Sequence, residues 1–166
     1  SVLVVGDVML DSYVIGRVNR ISPEAPIPIL SENHTSMTTG GAANVARNLA
    51  QLGCRVSLIG LAGMDNAGKE LTRAIAQIPQ ILFTPILCPN RPTTVKTRYL
   101  SAGQQMLRVD REITDLPDEE EREKLFEQAS LLMADCDILI LSDYAKGCLG
   151  PALNRRLIKV AHEQDI

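Results

Sequence analysis

Gly40, Gly41 and Asn44 fall at a glycine turn that runs directly into the helical pattern Ala42-Ala43-Asn44-Val45-Ala46-Arg47-Asn48-Leu49-Ala50-Gln51-Leu52-Gly53. Two glycines at a helix start let a ligand approach the backbone, where free N–H groups and the positive end of the dipole favour oxygen-rich ligands. Asn44 adds one acceptor and two donors, a set suited to hydroxyls. Asp7 and Asp11 follow the apolar run Val2–Val5 at alternating positions, and their carboxylates can accept from hydroxyls. Asp143 and Lys146 occupy the same kind of place after the apolar run 137–141. The chemistry these residues share is the grip of a small, hydroxyl-rich molecule. The glycines also suit a tight turn before a polar helix start, and either of Asp7 and Asp11 also suits the capping of a turn.

Positioning them requires an α/β framework. Apolar runs rich in β-branched residues at 2–5, 55–61, 81–87 and 137–141 read as buried strands of a parallel sheet. Helical patterns at 42–52, 69–77, 118–133 and 151–163 alternate with them, which predicts a doubly wound sheet. In open sheets of this kind ligands bind beyond the C-terminal strand ends. Asp7, Asp11 and the segment 142–147 all fall there. Asp65 and Gly68, in the loop 60–68, read as turn and cap chemistry.

Two stretches break the alternation. Residues 13–30 read as short extended pieces around Arg17–Ala25, with Pro23, Pro26 and Pro28 restricting them to sheet edges. Residues 91–112 read as a hairpin, with extended segments 93–100 and 106–110 joined by Ser101–Gln105. Lys96 and Arg98 project to one face of its first strand, and Arg108 lies on the second. Segments of about 12–38 and 91–112 are therefore expected to form a small separate sheet, a lid over the site.

Composition narrows the function classes. The chain has 166 residues and a net charge of −3, with no basic run, which disfavours nucleic acid as a partner. Trp is absent and aromatics are few, against a base-stacking surface. No apolar stretch approaches the roughly 20 residues of a membrane span, and Ser1–Gly6 lacks the basic region of a signal peptide. Cys54, Cys88, Cys136 and Cys148 contain no C-x-x-C pair. A metal or redox motif is thus not indicated, and reduced thiols in a cytoplasmic protein are expected. Asp118-Glu119-Glu120-Glu121 suits the first turn of a helix, and Pro117 its entry. The last helix has no strand after it to complete a crossover, so residues 1–166 read as the N-terminal part of one domain.

Five blocks together resemble a known family: Val5–Asp11, Gly40–Ala46, Leu52-Gly53, Gly63–Gly68 and Ser142–Gly147 occur in the order seen in ribokinase-like (PfkB) sugar kinases. Within that family Arg20–Pro28, Gln104–Asp110 and Leu141–Gly147 resemble the D-glycero-β-D-manno-heptose-7-phosphate kinase domain of bacterial ADP-heptose synthases. The resemblance implies a ribokinase-like fold and ATP- and Mg²⁺-dependent phosphorylation of heptose 7-phosphate at the anomeric hydroxyl. It also implies a cytoplasmic setting and a homodimer joined through the lid. Carried over position by position, Asp11, Gly40, Gly41 and Asn44 match sugar-binding residues, and Asp143 and Lys146 match the branch's signature at the sheet edge. Ala42 and Met9 depart from the lysine and asparagine of ribose kinases, which fits a different sugar. The family's Gly-Ala-Gly-Asp turn, with its catalytic base, does not occur between Ser1 and Ile166. These residues alone are therefore expected to be inactive. A substrate with a distal phosphate needs cations, and Lys96, Arg98 and Arg108 are the candidates unless they are ordinary edge charges. The alternatives are a related kinase acting on a hexose phosphate or nucleoside, and a non-catalytic sugar-phosphate-binding module. Sequence beyond residue 166 containing a Gly-x-Gly-Asp turn separates kinases from a binder.

Overall fold

A computed structural model describes all residues, 1–166. Its elements run β1 (Val2–Gly6), β2 (Val8–Ile21), β3 (Pro28–Gly41), α1 (Ala42–Gln51), β4 (Val56–Gly63), α2 (Asn66–Ala76), β5 (Ile81–Cys88), β6 (Val95–Ser101), β7 (Gln104–Arg111), α3 (Glu119–Met133), β8 (Ile138–Ser142) and α4 (Pro151–Glu163). They build two four-stranded sheets, ordered β5-β4-β1-β8 and β3-β2-β6-β7.

The first sheet is parallel throughout. Every residue of β1 is buried, because helices cover both faces. Alternation along the strand divides the core in two. Leu3 and Val5 pack with Leu125, Ala129 and Met133 of α3 and with Leu153, Leu157 and Ala161 of α4. Val2 and Val4 pack on the other side with α1 and α2 through Ala46, Ala50, Leu71 and Ile75. The i, i+4, i+8 spacing on α3 and α4 puts each trio on one helix face. This is the doubly wound arrangement expected from the strand–helix alternation.

The second sheet differs from the expectation in detail. Residues 13–30 do not form short pieces: β2 and β3 are each 14 residues long and pair antiparallel. Pro23 and Pro26 fall in the connection between them. Pro28 is the first residue of β3, an edge strand where a missing N–H is tolerated. The hairpin is also tighter than expected, with β6 ending at Ser101 and β7 starting at Gln104. Ala102 and Gly103 both take positive φ, 51° and 79°, which gives a two-residue turn whose twist matches the strands. α2 starts three residues earlier than its apolar spacing suggests, because Asp65 caps it by accepting from Gly68 N–H. Leu132 is only half-buried beside the α3 core trio. α3 itself opens on a full capping box between Asp118 and Glu121.

Candidate functional site

Strand pairing places Asp11, Lys96, Arg98 and Arg108 on one face of the second sheet. Asp11 lies opposite Thr38 on β3 and Lys96 on β6. Lys96 lies opposite Asp110 on β7, while Tyr13, Arg98 and Arg108 form the neighbouring row. Directly paired residues share a face, so this face is charged and hydrogen-bonding. The opposite face carries Met37, Leu107 and Val109, all exposed.

Asp11 is the centre of the arrangement. Its Oδ1 accepts from Arg98 Nη1 at 2.5 Å, and the Arg98 guanidinium lies 5.4 Å from the Tyr13 ring centre. Its Oδ2 faces Gly40, where an added Cβ would sit 2.3 Å from that oxygen. Gly40 is therefore glycine because the Asp11 carboxylate occupies its side-chain space. Gly41 has a different reason. Its φ is 56°, a Cβ there would meet Asp7 O at 2.2 Å, and it is the N-cap of α1. No side chain caps that helix and its first turn holds no acidic residue. Asn44, in the first turn of α1, accepts through Oδ1 from Arg47 Nη2 at 2.7 Å. The same guanidinium donates through Nη1 to Thr38 Oγ1 at 2.7 Å.

Asp7 does not act as a hydroxyl grip. It is 2 % exposed, and its carboxylate accepts from the backbone N–H groups of Tyr144 (2.7 Å), Lys146 (3.1 Å) and Cys148 (2.9 Å). It shapes the loop after β8 from beneath, so the turn-capping role applies to it. Asp143 accepts from Ala145 N–H at 2.8 Å, a local turn bond on an exposed residue. Lys146 points back towards the second sheet, where Nζ donates to Glu112 Oε1 at 2.9 Å.

The cations of the second sheet singled out in the sequence all have carboxylate partners. Lys96 Nζ donates to Asp110 Oδ2 at 3.0 Å and to Glu112 Oε2 at 3.3 Å. Arg108 Nε lies 2.9 Å from Asp110 Oδ1. Glu112 thus joins a strand of the second sheet to the loop after β8. Burial opposes its ionisation, but the hydrogen bonds from Lys146 and Lys96 outweigh that and hold its carboxyl below the usual range. Arg108 is the most exposed of the three side chains, at 49 % against 14 % for Lys96 and 21 % for Arg98.

Supporting residues tie down the loops. Asp65 accepts from Thr93 Oγ1 at 2.7 Å as well as from Gly68 N–H at 2.8 Å. Burial works against the Asp65 charge, yet these bonds and nearby Arg111 leave its carboxyl below the ordinary range. Asp65 and Gly68 therefore do the cap and turn chemistry read from the sequence. Arg91 donates to the carbonyls of Ile113 and Lys146 at 2.7 and 3.2 Å and also to that of Asp115. Arg47, Thr38, Glu112 and Arg91 were not singled out by sequence reasoning. For Arg47 the signal was available: it lies three residues after Asn44, on the same helix face.

A concavity of about 550 Å³ lies at the other end of the parallel sheet beside Ser1, Arg55 and Gln80. It is remote from Asp11 and Asn44. No group of His, Cys, Asp and Glu side chains is arranged to hold a metal ion, and no Gly-x-Gly-Asp turn occurs in the chain. The anion-holding Gly-x-Gly-Asp turn expected of the family is thus not among these residues.

The family model described as pfkB family carbohydrate kinase matches residues 1–165. The chain belongs to this family. Among its relatives, "Bifunctional protein HldE" from Acidiphilium cryptum is 45% identical over 161 residues, covering 97% of this chain and 33% of that protein. "Bifunctional protein HldE" from Caulobacter vibrioides is 46% identical over 161 residues, with the same coverage of 97% and 33%. The chain thus spans about a third of the length of these curated relatives. Among solved structures, phosphofructokinase-2 from Escherichia coli in complex with fructose-6-phosphate superposes with a TM-score of 0.73 at 22% identity, over 98% of this chain and 51% of that one. Arabidopsis thaliana ribokinase complexed with ribose and ATP gives 0.67 at 17% identity, over 99% and 51%. At these identities the two likenesses show the pfkB-family fold and no more.

Proposed function

We propose that residues 1–166 supply the sugar-binding part of an ATP-dependent kinase. Its substrate is D-glycero-β-D-manno-heptose 7-phosphate, phosphorylated at the anomeric O1 to the 1,7-bisphosphate on the route to ADP-heptose and lipopolysaccharide core. The observation that carries the reading is the Asp11 carboxylate, held by Arg98 through Oδ1, with Oδ2 over Gly40 and Asn44 close by in sequence on the first turn of α1. Membership of the pfkB family and the relatives named HldE support the sugar-kinase class.

In this reading Asp11 Oδ2 accepts from a sugar hydroxyl, and Asn44 and the backbone at Gly40 and Gly41 complete the grip. Asp143 and Lys146 border the site from the loop after β8. Arg108, with Lys96 behind it, meets the 7-phosphate, while Arg98 holds Asp11 in place. ATP and Mg²⁺, with the base that takes the hydroxyl proton, belong to the rest of the protein. The second sheet acts as a lid, and its exposed apolar face, with Met37, Leu107 and Val109, pairs two copies into a homodimer. No helix is long and apolar enough to cross a membrane, in keeping with a cytoplasmic enzyme.

The test is a panel: the full-length protein with ATP, Mg²⁺ and, in turn, heptose 7-phosphate, fructose 6-phosphate, ribose and a nucleoside. Preferred formation of heptose 1,7-bisphosphate supports the reading. Preference for another acceptor favours a different kinase of the family, and no transfer to any acceptor favours a binding module.

A further inference from the structure

Asn44 has two faces to its amide, and which one the ligand meets decides what it recognises. Arg47 Nη2 lies 2.7 Å from the Asn44 side chain. A guanidinium carries donors only, so the amide atom it touches must be the oxygen. That engages Oδ1 and leaves both Nδ2 protons for other partners. The second arm of the fork is fixed as well, by Thr38 Oγ1 at 2.7 Å. Thr38 is paired with Asp11 across β2 and β3. One guanidinium therefore spans the first turns of α1 and the strand beside Asp11, and both side chains it holds are partly buried.

We infer that Arg47 is a positioning residue that sets the polarity of the sugar site. It holds Asn44 as a hydrogen-bond donor in a site whose acceptor is the Asp11 carboxylate, the strand partner of Thr38. The site then favours a sugar with two neighbouring hydroxyls. One accepts from Asn44 Nδ2, and the other donates to Asp11 Oδ2. A sugar lacking the accepting oxygen leaves the Asn44 N–H groups unpaired and is rejected. This rests on the sugar-binding reading given above, but it does not depend on which sugar is bound.

A double-mutant cycle in the full-length enzyme tests it, using the acceptor that the panel shows to be best. Arg47→Met keeps the aliphatic stem and removes the fork. It should raise the sugar KM roughly 5- to 30-fold, the effect of one or two misplaced hydrogen bonds, and leave the KM for ATP within about two-fold. Asn44→Ala combined with Arg47→Met should be no worse than Asn44→Ala alone, because Arg47 acts through Asn44. Asn44→Asp should keep the pairing with Arg47, and hence thermal stability, but replace the donors with acceptors and weaken sugar binding at least as much. Multiplicative effects in the cycle, or unchanged sugar KM in Arg47→Met, overturn the inference. If Arg47→Met fails to fold, Arg47→Lys replaces it in the same cycle, with the same outcomes deciding. An atomic-resolution structure of the free full-length protein gives a readout independent of any sugar. Asn44 Oδ1 turned away from Arg47 there overturns the inference even if the enzyme proves to be a heptose kinase.

Discussion

Arg98 Nη1 donates to Asp11 Oδ1 at 2.5 Å across 87 residues of sequence. The pair joins β2 to β6 through side chains as well as through the strand ladder, and it fixes which carboxylate oxygen faces Gly40. Arg98 is bound to Asp11 and only 21 % exposed, whereas Arg108 is 49 % exposed beside Asp110, which gives the two different tasks in the proposed site. In the full-length enzyme Arg98→Ala should therefore raise the sugar KM by roughly ten-fold or more, as expected on losing a charge-assisted hydrogen bond. The penalty should be similar for heptose 7-phosphate and for the sugar without its phosphate. Arg108→Ala should penalise the phosphorylated sugar alone. Steady-state kinetics with both acceptors reads the two penalties side by side.

Gly40→Ala tests the crowding at Asp11. The new Cβ would fall 2.3 Å from Asp11 Oδ2 and 3.0 Å from Met9 Cγ, so the carboxylate must turn aside. The backbone at Gly40 has no positive φ to strain. Sugar affinity should drop by more than ten-fold while the melting temperature falls by only a few degrees, on the order of 1 kcal/mol. Calorimetric titration and thermal melts of the full-length protein check the split.

Asp7 should behave in the opposite way. Its carboxylate satisfies three backbone N–H groups in a buried place. Asp7→Ala leaves those donors unpaired and should destabilise the protein by about 3 kcal/mol or more. Denaturant unfolding of the full-length variant measures it. A change below about 1 kcal/mol would show that the loop after β8 does not depend on Asp7.

Glu112 makes the link between the sheets sensitive to acid. Its folded carboxyl is held below the ordinary value of 4.5, so the folded state binds fewer protons than the unfolded state between the two values. The stabilisation is present above that ordinary value and is lost as pH falls through the lower, folded one. Melting temperature should therefore decline below about pH 4.5, and Glu112→Gln should flatten part of that decline while lowering stability at neutral pH. A pH series of thermal melts on both proteins tests this.

Much of the fold was legible because its signals are local. Val2–Val5 reads as a buried strand, and Leu153, Leu157 and Ala161 repeat at helical spacing, without reference to anything distant. Asp118 with Glu121 announces the start of α3. At the candidate site, the types and places of Gly40, Gly41, Asn44 and Asp11 are what the sequence offers, and their binding role is a proposal. Asp7 could not be told from Asp11 by sequence, because its partners lie at least 137 residues away. The length of β2 and β3 was hidden for a similar reason: polar residues such as Glu32, His34 and Thr35 carry no strand period, and pairing with β2 holds them extended. The carboxylate partners of Lys96, Arg98 and Lys146 also come from register and packing, which spacing does not encode.

The most direct test of the account is the affinity of the full-length protein for heptose 7-phosphate with and without the Asp11 carboxylate. Asp11→Ala should weaken binding by the equivalent of about 1–3 kcal/mol, roughly 5- to 150-fold, with a melting temperature close to wild type and an unchanged KM for ATP. Wild-type affinity in a folded Asp11→Ala protein would contradict the proposed placement of the sugar at this face of the second sheet.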